Sequence, residues 1–522
     1  MPITSITRRA SLVGLSAGLS ACALKRVGGI RTPHSGRPNL IVILADDLGW
    51  SDTSPFGGET YTPHLARLAA GGVRATHFYN IGKCYPSRAS LLTGLLNHRA
   101  GFAGGIARDE GRAGDGPYRG YLAEETPTLA EILQPLGYRS YLSGKWHVGE
   151  ARKHWPDQRG FDRSFSLISG ASSYYELRNE RERIRRMSLD GEPWTPPAEG
   201  FYATNAYADK AVEFLADHER LYGEDPFFLY LAFTAPHFPL HAPIDARARY
   251  AGRYRNGWDV LRRERFMTLL TTGVIDQRFA ETMRPDQVPA WENVADRALW
   301  EARMETYAAM ITLMDEAIGR VLAQVEAMGE LDNTLIIFAS DNGASHEDVS
   351  GRNAHDHGTP TGDRGSYEAI NAPWAWAANA PFRFHKETTF EGGITSSAII
   401  HWPQQVKPGG MLCDRLHVSD IVPTMLDAFG QSPDGYYGRS MMPVLQGRAV
   451  PERALFTEHA GWGALISDGW KLVRTPKGAQ WYLFNLEEDP VESRELAALH
   501  PVRLKAMQDE WTATAQREGV RL

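Results

Sequence analysis

The strongest constraint on the fold is a set of short, wholly apolar segments that each run into polar residues with chemical potential. Leu40-Ile41-Val42-Ile43-Leu44 leads to Asp46-Asp47, and Leu335-Ile336-Ile337-Phe338 leads to Asp341-Asn342. Phe227-Phe228-Leu229-Tyr230-Leu231 leads to His237, and the weaker segment Tyr138 to Leu142 leads to Lys145 and His147. Apolar runs without alternation suit strands covered on both faces, as in a mostly parallel α/β sheet sandwiched by helices. Helical patterns lie between them, at Thr126 to Leu136 and at Leu299 to Met328, where Met304, Met310 and Met314 read as core packing. In open α/β sheets, ligands bind outside the carboxyl ends of the strands. Each polar end has an ordinary explanation by itself, as a helix cap, a turn or a satisfied structural histidine. Four such ends on one edge of one sheet make a candidate site.

The four ends divide by chemistry. Asp46, Asp47, Asp341 and Asn342 are oxygen donors without thiolate, which suits a hard cation; Ca2+ tolerates irregular ligand sets better than Mg2+ and is favoured. Lys145, His147 and His237 are cationic or can become so. Residues two apart in an extended segment face the same side, so Lys145 and His147 can reach one ligand together. A cation, a lysine and histidines in one pocket call for an anionic substrate. The formal net charge of −7 over 522 residues advertises no basic face, so nucleic acid is not an expected partner. Three cysteines, Cys22, Cys84 and Cys413, are neither a disulfide framework nor a zinc cluster.

Cys84-Tyr85-Pro86-Ser87-Arg88 opens a helical stretch ending near Gly94. Proline is favourable in the first turn of a helix, and a helix N-terminus attracts anions. A lone cysteine is ordinarily an inert buried thiol. Here, however, C-x-P-S-R followed by Ala89-Ser90-Leu91-Leu92-Thr93-Gly94 resembles the signature of the sulfatases, in which the cysteine is oxidised to formylglycine. The resemblance extends from about Pro38 to the C-terminus. It takes in Asp46-Asp47-Leu48-Gly49, Ser143 to Gly149, Ala235-Pro236-His237-Phe238-Pro239, Ser340-Asp341-Asn342-Gly343, and Lys386 ahead of Thr388 to Gly393. Spacing and the segment Ala372-Pro373-Trp374 most resemble the bacterial arylsulfatase branch.

This resemblance implies an alkaline phosphatase-like fold and a sulfuric ester hydrolase. It implies a cation held by Asp46, Asp47, Asp341, Asn342 and residue 84, and a formylglycine-generating enzyme acting on Cys84. A hydroxyl of the hydrated formylglycine would attack sulfur, and collapse of the diol would later expel sulfate. Asp341 would help deprotonate the attacking hydroxyl, His237 and Lys386 would serve the leaving oxygen, and His147 would take the second proton. Arg88 and Lys145 would hold the diol and the sulfate charge. The expected extra sulfate-contacting residue is Ser172 or Ser173, between which the sequence does not choose. A formylglycine-dependent phosphonate monoester or phosphodiester hydrolase, and a non-catalytic lipid-anchored binding protein, are the alternative readings. His346, His355 and His357 could form a second metal site, although a solvated loop is the ordinary reading. Trp374 and Trp376 fit either the substrate rim or the core, and Cys413 reads as structural.

The N-terminus reads as an address rather than as fold. Thr7-Arg8-Arg9-Ala10-Ser11-Leu12 resembles a twin-arginine signal, and Leu19-Ser20-Ala21-Cys22 resembles a lipobox. Together they imply use of the twin-arginine export machinery, a periplasmic location and a membrane anchor through lipid on Cys22. A plain signal peptide that happens to contain a cysteine is the other reading. The expected organisation is 1–37 signal and linker, 38–440 catalytic α/β domain, and 441–522 a small α+β subdomain. The last part reads as a small antiparallel sheet followed by a helix from Pro501 to Arg517.

Overall fold

The computed structural model describes residues 37–108, 113–179, 181, 183–223, 225–351, 358–476 and 480–521. The signal and lipobox motifs, with Cys22, and the histidines His355 and His357 lie outside the described residues.

The large sheet contains β1 (Asn39–Asp46), β2 (Val73–Tyr79), β3 (Arg139–Lys145), β4 (Arg163–Leu167), β5 (Met187–Leu189), β6 (Glu192–Trp194), β7 (Phe227–Pro236), β8 (Thr334–Ser340), β9 (Thr395–His401), β10 (Gly410–Leu412) and β11 (Leu416–His417). Its order is β10-β2-β9-β8-β1-β7-β3-β4-β5-β6, with β11 also paired to β2. The central strands β8, β1, β7, β3 and β4 are mutually parallel. β9 is antiparallel to both β8 and β2, so β2 again points the same way as β1. The four apolar segments of the sequence are thus four adjacent strands, and their carboxyl ends share one edge.

The sheet is covered on both faces, which explains why its central strands are apolar without a break. Ile41 and Ile43 of β1 join Leu229 and Leu231 of β7 in one core, beneath the helices Ala203–Tyr222 and Arg297–Ala327. Leu40, Val42 and Leu44 face the other core with Phe228 and Tyr230, beneath Cys84–Thr93 and Ile421–Ala428. A strand with only one buried face would have shown alternation. Met304, Met310 and Met314 are buried in the first core, as their helical spacing predicts. Trp374 and Trp376 belong to that core too, not to a substrate rim.

A separate antiparallel sheet follows, made of β12 (Leu455–His459), β13 (Trp462–Ser467), β14 (Trp470–Arg474) and β15 (Trp481–Asn485), with the helix Pro501–Arg517 packed on it through Trp511 and Met507. The fold class is the predicted one: a large mixed, mostly parallel sheet between helices, and a small antiparallel sheet with a helix. No helix among the described residues is long and apolar enough to cross a membrane.

Candidate active site

Cys84 is the first residue of the helix Cys84–Thr93, which follows β2 across a four-residue link and ends at Gly94 in the left-handed conformation (φ 71°). Cys84, His147, His237 and Lys386 line one cavity of about 300 Å³, with Lys83, Tyr85, Arg185 and Phe238 around it. Asp46, Asp47, Arg88, Lys145, Asp341 and Asn342 lie beneath, each no more than 1% exposed. Cys84, Arg88, Lys145, His147, His237, Asp341 and Lys386, expected in catalysis, and Asp46, Asp47 and Asn342, expected with Cys84 and Asp341 around the cation, are therefore gathered at one end of the sheet. Lys386, which no strand run signalled, arrives because β9 runs backwards: its N-terminal end, preceded by Lys386 to Ile394, lies at the edge where its neighbours end.

The buried charges are interlocked. Arg88 donates to Asp341 Oδ2 from Nε at 2.8 Å, and its Nη1 donates to the Lys145 carbonyl at 3.0 Å. Lys145 Nζ donates to Asp46 Oδ2 at 2.5 Å. Asn342 Nδ2 donates to Asp47 Oδ1 at 2.7 Å, and Lys386 Nζ donates to Asp47 Oδ2 at 2.9 Å. His237 Nε2 lies 3.4 Å from both Lys386 Nζ and Asp47 Oδ2, while Nδ1 is 2.6 Å from the Phe238 carbonyl. That bond fixes the tautomer: Nδ1 carries the proton, and Nε2 faces the site. Asp46, Asp47 and Asp341 thus face the basic side chains of Arg88, Lys145 and Lys386.

Local backbone conformation aims these side chains. Asp47 and His147 both hold left-handed φ values, 65° and 61°. Such conformations are costly for non-glycine residues and are concentrated at functional sites. Gly170 makes room for His147, because a Cβ there would lie 2.7 Å from the imidazole. Gly343 lets the Asp341-Asn342 turn rest on the segment before β9; a Cβ would meet the Gly392 carbonyl at 1.9 Å.

Protonation follows from burial and charge. Burial raises the Cys84 thiol, and Lys145 and Lys386 do not bring it back to its ordinary range. Burial and the neighbouring Asp46 push Asp341 up to about 7, against the pull of Arg88. Burial would also raise Asp46, but Lys145, His237 and Arg88 outweigh it and hold that carboxyl below the usual range. His147 is pushed well down by burial, then by Lys145 and Arg88. His237 is lowered by burial, with Asp47 opposing.

The donors fit a hard cation. Among the described residues, Asp46 Oδ1, Asp341 Oδ1 and Asn342 Oδ1 are buried without a hydrogen-bond partner. Buried oxygens are rarely left so, and an ion is one of the standard remedies. Asp46, Asp47 and His237 also offer ligand atoms all within 4.8 Å of one another.

Some expectations shift. The cavity beside His147 is lined by Gly170 and Ala171, not by Ser172 or Ser173, and the Ser173 hydroxyl accepts from the backbone N–H of Arg178 within its own turn. His346 stacks on His385 with centroids 3.8 Å apart, an aromatic contact next to Lys386. Cys413, read as structural, is exposed between β10 and β11. It lines a separate cavity of about 340 Å³, with Arg415, Arg439 and Arg453, to which none of the expected catalytic or cation-binding residues contributes. The strand reading missed β2, whose mixed polar sequence Val73-Arg74-Ala75-Thr76-His77-Phe78-Tyr79 carries only a weak alternation. It also missed the contact of Tyr85 with the small sheet.

Comparison with known proteins agrees with this geometry. The sulfatase family model matches residues 38–431. An uncharacterized sulfatase of Schizosaccharomyces pombe is 34% identical over 542 residues, covering 93% of this chain and 95% of that protein. An arylsulfatase of Klebsiella aerogenes is 33% identical over 434 residues, covering 80% of this chain and 91% of that protein. The crystal structure of Ps i-CgsB shares the fold, with a TM-score of 0.68 at 24% identity over 92% of this chain and 93% of that one. With the match spanning the large sheet, all four strand ends and the Cys84 helix, the chain belongs to the sulfatase family and is an enzyme of the sulfatase type.

Proposed function

We propose that the chain is an arylsulfatase-like hydrolase of organic sulfate monoesters, in which residue 84 acts as formylglycine and Asp46, Asp47, Asp341, Asn342 and residue 84 hold a divalent cation, Ca2+ in preference to Mg2+. The observation that carries this reading is the placement of Cys84 at a helix N-terminus, inside a cavity lined by His147, His237 and Lys386. Once converted, residue 84 supplies a hydrated aldehyde as nucleophile; when bound, the cation supplies a fixed positive charge against the sulfate oxygens. The three carboxylates already balance Arg88, Lys145 and Lys386, so an added divalent charge leaves the pocket suited to an anionic ester.

The chain's own groups divide the proton work. Asp341 accepts the proton of the attacking hydroxyl, and Arg88, which grips Asp341 through Nε, fixes its direction. Lys145 and Arg88 stabilise charge on the sulfate group. Lys386 presents its ammonium and His237 its Nε2 to the leaving oxygen; the proton comes from the ammonium, directly or through Nε2 at 3.4 Å, because Nε2 carries none of its own in the Nδ1–H tautomer. His147, held neutral by burial, accepts the proton whose loss frees sulfate from residue 84. The N-terminal motifs at Arg8-Arg9 and Leu19 to Cys22 support export and a lipid anchor.

The test is a leaving-group series on enzyme produced with a formylglycine-generating enzyme, with an aryl phosphodiester as comparison. Aryl sulfate should be turned over faster than the diester; the reverse order would make the enzyme a phosphodiester or phosphonate hydrolase. His237→Ala should lose far more activity on alkyl or sugar sulfates than on nitrophenyl sulfate. His147→Ala should lose activity independently of the leaving group and accumulate sulfate on residue 84. Equal slopes without trapped sulfate would refute these roles.

A further inference from the structure

The small sheet reaches into the active site. β12 ends in Glu458-His459, and His459 Nε2 lies 2.8 Å from Tyr85 Oη. Tyr85 follows Cys84 directly and lines the catalytic cavity. Its ring packs edge-on against His147, with centroids 5.7 Å apart and planes at 83°. His459 meets the same ring at 5.3 Å and 71°, and Phe102 at 6.1 Å. The tyrosine is therefore held by three rings and one hydrogen bond, and the face it offers to His147 depends on all of them.

The residue before His459 grips the segment that follows the same helix. Glu458 Oε2 lies 2.7 Å from His98 Nε2, with both side chains buried. The Glu458 carbonyl accepts from Asn97 Nδ2 at 3.1 Å. Asn97 and His98 come just after the helix Cys84–Thr93 and its Gly94 cap. Two consecutive residues of β12 thus contact the first turn of the helix, through Tyr85, and the segment that follows its Gly94 cap, through Asn97 and His98. Burial pushes the His459 imidazole down to about 4, so it is neutral near pH 7 and shares a neutral hydrogen bond with the phenol.

We propose that His459 is a positioning residue for the sulfatase reaction: through Tyr85 it sets the orientation of His147 beside residue 84, while Glu458 anchors β12 to the segment that follows the same helix. The inference rests on the reading of His147 as the group that assists release of sulfate from residue 84. It makes the C-terminal sheet part of the catalytic apparatus, although none of its residues need touch the substrate.

The experiment uses the full-length chain with residue 84 converted, and compares His459→Ala, His459→Gln, Tyr85→Phe and the double variant His459→Ala/Tyr85→Phe. Thermal unfolding checks that each is folded. A misplaced catalytic group should cost about tenfold to a hundredfold in kcat, with little change in KM, and sulfate should accumulate on residue 84 during turnover. His459→Gln, whose amide can still reach Tyr85 Oη, should recover part of the loss. The double variant should be no worse than the poorer single variant, because both remove one contact. Unchanged kcat in His459→Ala, or losses that multiply in the double variant, would overturn the proposal. Crystal structures of the unconverted wild type and of unconverted His459→Ala need no turnover at all. They should show the Tyr85 and His147 rings turned in the variant while the helix stays in place. A His147 ring that does not move overturns the positioning role, whereas moved rings in an enzyme that never carries sulfate on residue 84 would refute the release mechanism and leave the positioning intact.

Discussion

At the carboxyl edge of the large sheet, Asp46, Asp47 and Asp341 face Arg88, Lys145 and Lys386; at the seam with the small sheet, Glu391 and Glu492 face Lys471. Both clusters are fully buried. In the second, three of the four carboxylate oxygens accept a hydrogen bond, and the fourth, Glu492 Oε1, has no hydrogen-bond partner among the described residues but stands in ion-pair contact with Lys471. Lys471 Nζ lies 2.6 Å from Glu391 Oε1 and 2.8 Å from Glu492 Oε1. Glu391 Oε2 accepts from Tyr79 Oη at 3.1 Å and Thr395 Oγ1 at 2.7 Å, and Glu492 Oε2 accepts from the Glu391 N–H at 2.8 Å. In the first cluster, Asp46 Oδ1 and Asp341 Oδ1 have no hydrogen-bond partner among the described residues, and neither has Oδ1 of the neighbouring Asn342. Burial and charge alone do not mark a functional site, then. The difference lies in how the oxygens are met: one cluster closes around Lys471 and joins two sheets, and the other leaves oxygens with neither a hydrogen bond nor an ion-pair contact, a reserve that the proposed cation would use.

The comparison breaks most visibly at Asp46. Asp46→Asn removes a carboxylate from the reserved set while keeping its shape. It should lose bound calcium and cut activity about a thousandfold, the scale of losing a major electrostatic element of an active site. Calcium should raise the unfolding temperature of the wild type, because a ligand that binds only the folded state stabilises it, and should not raise that of the variant. Metal analysis and calorimetry read this without reference to turnover. A variant that retains calcium and full activity would show that the reserved oxygens serve something else.

The reciprocal break is at Lys471. Lys471→Met leaves two buried carboxylates facing each other and should cost about 3–5 kcal/mol in urea denaturation. The folded variant should keep most of its kcat at low temperature, since Lys471 touches no residue that lines the catalytic cavity. A large loss of kcat at unchanged stability would erase the distinction between the two clusters.

A smaller effect sharpens the picture. Burial, with Glu391 adding to it and Lys471 opposing, pushes Glu492 up from 4.5 to about 7. The folded state then holds a proton that the unfolded chain releases near 4.5, so stability is fully present below that value and falls as pH rises toward 7. Glu492→Gln should flatten the dependence of unfolding temperature on pH between about 4.5 and 7 by the equivalent of about 2–3 kcal/mol. An identical slope in wild type and variant would show that Glu492 does not titrate in this window.

How much of this was legible in the sequence depends on how each part is encoded. The strands β1, β7 and β8 were readable because covering both faces forces an unbroken apolar run, and the polar residue that ends each run is the one at the site. The Cys84 helix was readable because its first turn carries the whole motif. β2 and β9 were not, although both frame the site. β2 mixes Arg74, Thr76 and His77 into a strand near one end of the sheet, and Thr395-Ser396-Ser397 opens β9 without an apolar signal. Lys386 could be assigned only by resemblance, because it precedes an antiparallel strand and the rule of carboxyl ends does not reach it. The link from His459 to Tyr85 joins residues 374 apart in sequence. No local pattern encodes such a contact; only the docking of the small sheet creates it.

The central claim is that residue 84 works as formylglycine on sulfate esters. Its most direct test is the mass of the tryptic peptide containing residue 84, taken from the same preparation whose release of sulfate from an aryl sulfate is being measured. The account predicts an aldehyde in place of the thiol, activity proportional to the converted fraction, and a Cys84→Ser variant that retains sulfate on residue 84 without turning over. A preparation with full sulfatase activity and only intact cysteine at position 84 would contradict it.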